Sequence, residues 1–506
     1  MSKESDNYED LRHRRAEINM KSGEFRQLGH KLVDQIAELL DSLPNRPVTP
    51  GERPDAVRAL IDGDRALPSD GADAERLFDT VVPLLFDHSL YNGHPRFFGY
   101  ITAGPTPIGI LGDFLASAVN SNLGGWKLSP IASEIEIQTV RWIAELIGYP
   151  SDCGGLLVSG GNMANLVGMW AARVAMASWD IRTEGLMHAH PQRLRVYASK
   201  ETHTWIQKGA DLLGIGTNSI RWIETDRHQR MVVSALRKAI KRDQDAGDHP
   251  FMVVGTAGSV STGAIDPLAG IAEVCREFDV WYHVDGAYGG IAACVTDELK
   301  ALSEADSVAV DPHKWLYAPL EAGCALVRNV SHLTDAFSYR PRYYNFGDEP
   351  VNFVDYGPQN SRGFRALKVW LALQQVGRRG YEKMITDDMR LMKYLYELVA
   401  RTPELEAATH SLSITTFRYI PEDMQGKSLS AAAREYLNEL NQQIHDRLEE
   451  GGEAFVSNAV VDDVYLLRAC VVNFRTTLED IEALPEIVVR IGKEVDSKLR
   501  ASMPTG

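Results

Sequence analysis

Lys314 stands in the run Asp311-Pro312-His313-Lys314-Trp315, between the apolar stretch Val308–Val310 and an indole. A lysine in such surroundings is poorly solvated, which makes its ammonium give up a proton more readily and its amine a nucleophile for aldehydes. Snorkelling towards solvent is the simpler alternative for any single lysine. Asp285 ends the apolar run Val280–Val284, in Tyr282-His283-Val284-Asp285-Gly286-Ala287-Tyr288. A carboxylate at the end of a buried strand is costly without a cationic or protonated partner, although capping the next turn would also account for it. Ser159-Gly160-Gly161-Asn162 leads from a short apolar run into a helical pattern. Two glycines let a ligand approach the backbone, and a helix start offers free N–H groups to a phosphate. An ordinary glycine-rich turn reads the same way. His203, in Lys200-Glu201-Thr202-His203-Thr204-Trp205, follows another strand candidate and offers an aromatic ring.

Together these residues match the needs of one cofactor. Pyridoxal phosphate requires a lysine for its aldehyde, an acid for its ring nitrogen, a cradle for its phosphate and a ring to stack on its face. Lys314, Asp285, Gly160–Asn162 and His203 are of those types. Other chemistries lack their signatures: there is no G-x-x-x-x-G-K-[ST], H-E-x-x-H or G-x-S-x-G. Gly214-Ile215-Gly216 is half of a dinucleotide fingerprint and reads as a turn. His188 and His190 sit in a polar stretch beside Pro191 with no third ligand in view, so no metal site is expected.

The elements that must position these residues follow from periodicity. Leu156–Ser159, Leu194–Ser199, Ser219–Glu224, Phe251–Thr256 and Val280–Asp285 read as strands, with helical patterns at Met163–Ala175, Val232–Lys241 and Leu268–Glu277. That alternation predicts an α/β fold with a mostly parallel central sheet, in which ligands gather at the carboxyl ends of the strands. From about Gly380 the pattern changes to two strands, Ser411–Tyr419 and Val464–Phe474, each followed by a long helix, Ala431–Leu448 and Leu478–Leu499. Near the N-terminus Phe25, Leu28, Leu32, Ile36, Leu39 and Leu43 form one face of a helix, with Ser22 as its expected N-cap and Pro44 as its stop. The expected organisation is an N-terminal helical arm (1–90), a large cofactor-binding α/β domain (91–379) and a small C-terminal α+β domain (380–506).

Composition bounds the partners. The 506 residues carry 53 Lys plus Arg against 69 Asp plus Glu, a net charge of −16, which argues against nucleic acid or an anionic membrane. The five cysteines are scattered without a C-x-x-C pair, and no run approaches the ~20 apolar residues of a membrane span. A polar N-terminus without an apolar core region is no secretory signal, and a cytoplasmic enzyme is expected.

The chain resembles the group II pyridoxal-phosphate-dependent decarboxylases, the family of aromatic-L-amino-acid decarboxylase. The resemblance rests on His283-Val284-Asp285-Gly286-Ala287-Tyr288, Pro312-His313-Lys314-Trp315, His94-Pro95-Arg96-Phe97-Phe98-Gly99-Tyr100, the stretch Trp126 to Glu136, and Arg362-Gly363-Phe364-Arg365-Ala366-Leu367-Lys368. It implies the type I fold of aspartate aminotransferase and a homodimer whose N-terminal helices wrap the partner. Carried over, Lys314 would hold the cofactor by its aldehyde and Asp285 would keep the pyridine nitrogen protonated. His203 and Ala287 would lie on the two ring faces. Gly160, Gly161 and Asn162 would contact the phosphate, and His313 would touch the cofactor. Tyr100, Ile101 and Trp126 would fall in the substrate pocket.

Two departures from the family stand out. Where many relatives have Asn before Pro-His-Lys, this chain has Asp311, and a carboxylate there repels a phosphate, so that contact is not carried over. The family also carries, ahead of the Arg362 motif, a loop tyrosine that returns a proton to carbon after CO2 leaves. Aligning backwards from Arg362 puts Phe353 at that place, with Tyr343, Tyr344 and Tyr356 nearby as other candidates. In plant members a phenylalanine there accompanies aldehyde synthesis, since a ring without a hydroxyl donates no proton. The expected function is decarboxylation of an L-amino acid, most readily an aromatic one, to its amine. The alternatives are an aromatic aldehyde synthase, a decarboxylase of acidic amino acids, an aminotransferase, and a cofactor-binding scaffold without turnover.

Overall fold

The structure, a computed structural model, describes residues 9–14, 16–186, 192–340 and 350–502. It divides into two compact units, residues 1–90 and 91–506. The first contains the amphipathic helix Ser22–Ser42 and the helix Ala74–Asp87. The expected cap is displaced by one residue: Ser22 is already helical, and Lys21 occupies the capping position without a side-chain bond.

The second unit is built on two sheets. In chain order its strands are β1 (Phe97–Phe98), β2 (Gly154–Val158), β3 (Leu194–Ser199), β4 (Ile220–Ile223), β5 (His249–Thr256), β6 (Trp281–Gly286), β7 (Ser307–Val310), β8 (Gly323–Val327), β9 (Leu405–Ser411), β10 (Ile414–Tyr419), β11 (Phe455–Val461) and β12 (Val464–Cys470). Seven form a sheet of order β2-β8-β7-β6-β5-β3-β4. Its inner strands β3, β5, β6 and β7 are mostly apolar runs buried on both faces, as helices packed on both sides of a parallel sheet require, while the edge strand β4 is part exposed. The sheet is not wholly parallel. β8, which periodicity missed, runs antiparallel to both its neighbours, β7 and β2.

The second sheet has the order β1-β11-β12-β10-β9. Here one expected strand proved to be a hairpin: the run ending at Tyr419 begins at Leu405 and turns at Leu412, which takes φ +51°. β11 was also missed. Its turn into β12 is Asp462-Asp463, both at positive φ, a hairpin connection that aspartate tolerates without the usual glycine. The two-residue β1 pairs in parallel with β11 and so carries the segment around Tyr100 onto this sheet. The helix Ala366–Arg401 passes through residue 380, three residues after a break in helical geometry at Gly377.

Candidate active site

Each sheet contributes one wall of a cavity of about 480 Å³, a size suited to a cofactor with a small substrate. The seven-stranded sheet supplies His203, Asp285 and Lys314 from the ends of β3, β6 and β7. Asp285, buried at the end of β6, has both carboxylate oxygens satisfied: the Trp205 indole N–H donates to Oδ2 at 2.7 Å and the Ala287 N–H to Oδ1 at 3.2 Å. The two N–H donors fix the carboxylate's orientation at the cavity wall, where its charge would face a ring nitrogen. Ala287 lies in the same cavity wall.

His203 follows β3. Its Nδ1 accepts the Trp205 backbone N–H at 3.2 Å, which leaves the proton of a neutral ring on Nε2. The ring is open on the cavity side, and the desolvation that remains lowers its pKa against the opposing pull of Asp285. Lys314 follows β7 and is not an isolated amine: its Nζ pairs with the buried Asp311 carboxylate at 3.0 Å. His313 lies beside it, with Nδ1 2.7 Å from the Ala322 carbonyl, and burial lowers its pKa.

The glycine turn after β2 has the form a phosphate cradle requires. Gly160 takes φ +84°, and Gly161 opens the helix Gly161–Met176. A Cβ on Gly161 would meet Ala287 Cβ at 2.9 Å and Asp311 Oδ2 at 2.7 Å, so only glycine leaves room there. Behind the turn, a buried polar relay holds its backbone. His283 lies 2.8 Å from Ser307 Oγ through Nδ1 and 2.7 Å from Asn165 Oδ1 through Nε2, and Asn165 Nδ2 donates to the Gly161 carbonyl at 2.9 Å. Burial pushes His283 down to about 4, so the ring is neutral and donates to one neighbour only. Trp281 Nε1 donates to the same Ser307 hydroxyl at 2.8 Å, which directs that hydroxyl's proton to Nδ1.

The motif Arg362–Lys368 stands behind this wall. Arg362 is buried against Glu136, its Nη2 donates to the Leu157 carbonyl at 2.7 Å, and Glu136 Oε1 accepts the Leu157 N–H at 2.9 Å. That pair clamps β2, the strand that delivers the glycine turn.

The opposite wall comes from the five-stranded sheet. Tyr100 and Ile101 line the cavity just past β1, with the Tyr100 N–H donating to Ser457 Oγ at 2.6 Å. Arg468, on β12, was not singled out from the sequence. It is 2 % exposed, its Nη2 reaches Ser457 Oγ at 2.8 Å, its Nη1 donates to the Val260 carbonyl, and its Nε has no partner. Glu201, two residues before His203, also lines the cavity, with its carboxyl pKa raised by burial. In the sequence Arg468 looks like one more alternating strand residue, and only the pairing of β11 with β12 brings it here.

Some sequence candidates lie elsewhere. Trp126 does not line this cavity; its indole donates to Glu134 at 2.8 Å. Phe353 is a core residue, 1 % exposed, edge-on to Tyr356 and 4.6 Å beneath the Arg362 guanidinium. Tyr356 is half-buried against the same core. Tyr343 and Tyr344, like His188 and His190, lie outside the described residues.

Residues 54–420 match the pyridoxal-dependent decarboxylase conserved domain. An aromatic-L-amino-acid decarboxylase of Bacillus atrophaeus is 32 % identical over 488 residues, covering 94 % of this chain and 97 % of that one. A phenylacetaldehyde synthase of Petunia hybrida is 29 % identical over 462 residues, 88 % of this chain and 90 % of that one. Among solved structures, Oryza sativa TDC with PLP and tryptamine superposes with a TM-score of 0.86 at 27 % identity, covering 95 % of this chain and 99 % of that one. Mouse CSAD gives 0.85 at 26 % identity, covering 92 % of this chain and 99 % of that one.

Proposed function

The chain belongs to the pyridoxal-dependent decarboxylase family and is a pyridoxal-phosphate-dependent amino-acid decarboxylase; on that premise we propose that it converts an aromatic L-amino acid to its amine as a cytoplasmic homodimer. The observation that carries the site assignment is the convergence of Lys314, Asp285, His203 and the Gly160–Gly161 turn on one cavity from four separate strand ends.

Lys314 would hold the cofactor's aldehyde, Asp285 its ring N–H, and Gly160, Gly161 and Asn162 its phosphate, while Ala287 and His203 would pack against its ring; all but Gly160 line the cavity, and Gly160 is in the same turn. When bound, pyridoxal phosphate supplies an electron sink for the pair left on carbon as CO2 departs. The Asp285 carboxylate, held in place by its two N–H donors, would pair with the ring N–H and so keep the proton that makes the sink effective. His203, neutral with Nε2–H free, orients the departing carboxylate by hydrogen bonding. Arg468 places a buried positive charge and an unpartnered N–H in the opposite wall, where a substrate carboxylate gains most from low dielectric.

An aromatic substrate is supported by the Tyr100 and Ile101 wall and by the aromatic-L-amino-acid decarboxylase from Bacillus atrophaeus. An amine product is supported by the burial of Phe353 in the core, outside the cavity lining. We assign proton return to Tyr343 or Tyr344. The homodimer reading rests on the helix Pro107–Val119. Its Gly109 and Gly112 pack inward on Pro319 and Lys368, while Leu111, Phe114, Leu115 and Val119 form an exposed apolar face. The three-part division at 90 and 380 belongs to the same reading.

The test is to incubate purified enzyme with aromatic, acidic and sulfinate amino acids and to measure amine, aldehyde and peroxide together. We expect amine from an aromatic substrate, no change in product ratio for Phe353→Tyr, and a rise in aldehyde for Tyr343→Phe or Tyr344→Phe. Aldehyde and peroxide from the unaltered chain would reverse the product assignment, and turnover of an acidic substrate alone would reverse the substrate assignment.

A further inference from the structure

Asp311 is 2 % exposed and sits where it touches both anchoring points of the cofactor. One oxygen, Oδ2, lies 3.0 Å from Lys314 Nζ and 2.7 Å from the place a Gly161 Cβ would occupy. The other, Oδ1, is buried with no hydrogen-bond partner. The charged and titratable groups that face it are Lys314, His313 Nε2 at 3.7 Å, and, through longer-range electrostatics, His203 and the buried Cys324. An anion at the start of the helix Gly161–Met176 is stabilised by the same free N–H groups and dipole that favour a phosphate. The ion pair with Lys314 also aims the lysine's terminal nitrogen at Asp311, and it must break before that nitrogen can bond to an aldehyde carbon.

We propose that Asp311 is a negative determinant of cofactor binding, competing with pyridoxal phosphate for the helix start at Gly161 and for the Lys314 amine. It opposes the phosphate by charge at one end and the aldehyde by ion pairing at the other. Its net effect is to make the cofactor readily exchangeable, where an amide of the same shape would retain it. The proposal rests on Lys314 being the attachment point but is independent of which amino acid is decarboxylated or which product forms.

The two actions separate by choice of ligand. Full-length chain, freed of cofactor and carrying Asp311→Asn, is titrated with pyridoxal phosphate and with pyridoxal, following the absorbance of the lysine-bound aldehyde. Asp311→Ser serves as a second variant and Lys314→Ala as the blank. The ion pair bears on both aldehydes and the charge repulsion only on the phosphate ester. The expected result is at least a tenfold tightening for pyridoxal phosphate, about 1.4 kcal/mol, and a smaller gain for pyridoxal. Unchanged or weaker binding of pyridoxal phosphate to both variants would overturn the proposal and make Asp311 a supporting ligand. Equal gains for the two aldehydes would overturn the competition at the helix start. Lysine-bound absorbance persisting in Lys314→Ala would overturn the attachment point, and the proposal with it.

Discussion

At Asp285 the charge matters more than the shape. Asp285→Asn keeps the side-chain volume and an acceptor for the Trp205 indole N–H, but it removes the negative charge that, in the proposed site, holds a proton on the cofactor ring. Turnover is therefore expected to fall by about 10²–10³-fold, the usual loss when one preorganised electrostatic contact is removed, while the lysine-bound cofactor absorbance persists. Turnover numbers measured at saturating cofactor check this. Loss of the absorbance instead of turnover would make Asp285 a binding residue only. The type and place of this acid were legible in the sequence, because an acid ending an apolar strand is conspicuous. Its hydrogen-bonding partner was not, since Trp205 lies 80 positions away and no local spacing links the two.

Among the elements, the helix Ala366–Arg401 grips the turn that carries the lysine. Its Asp388 is buried and accepts from Trp315 Nε1 at 3.2 Å and from the Tyr317 hydroxyl at 2.8 Å, within three residues of Lys314. Burial pushes this carboxyl up to about 7 against those donors, with Asp387 adding to the rise. The sign follows from linkage. A carboxyl with a raised folded pKa gives stability that is complete below the unfolded value near 4 and is lost as pH rises through 7. Asp388→Asn does not titrate, so its stability relative to the unaltered chain should improve by about 4 kcal/mol between pH 4 and pH 8. Urea midpoints at the two pH values measure it, and a pH-independent difference would contradict the assignment. His283, held at about 4, slopes the opposite way, but it is present in both proteins and cancels in the comparison. The long helix was not among the sequence expectations: Gly377, at φ +68°, breaks its helical geometry and interrupts its period. The two missed hairpin strands, β9 and β11, were hidden by turns that lack the glycine signals of two-residue loops.

For the whole molecule the decisive surface is the apolar face of Pro107–Val119. Leu111, Phe114, Leu115 and Val119 recur at three- and four-residue spacing, and each is at least half exposed. Replacing Phe114 and Leu115 together by Glu would leave the inward glycine face intact and desolvate two charges in any apolar interface there. On the proposed homodimer the expected outcome is its conversion to monomers, read by sedimentation or light scattering, with the circular dichroism of the fold unchanged. A double variant that sediments as the unaltered chain does would remove this face from the interface. Net charge, the broadest feature of the sequence, says little about the site. An acidic protein can still hold a phosphate where backbone N–H groups provide the positive field.

The sequence by itself determined the local chemistry: a lysine, an acid and a glycine turn, each just past an apolar run, and the alternation that stacks those runs into a sheet. Strand ends converge because parallel strands place their carboxyl ends along one edge, so residues distant in sequence meet without any local signal. Only the tertiary structure decided what stands opposite them. Arg468 reached the cavity through the register of β11 and β12, Trp126 stayed out of it, Phe353 went into the core, and Asp311 came to rest between Lys314 and the glycine turn. Those placements depend on packing between segments tens to hundreds of residues apart. Side-chain period and motif spacing report only on neighbours within one element.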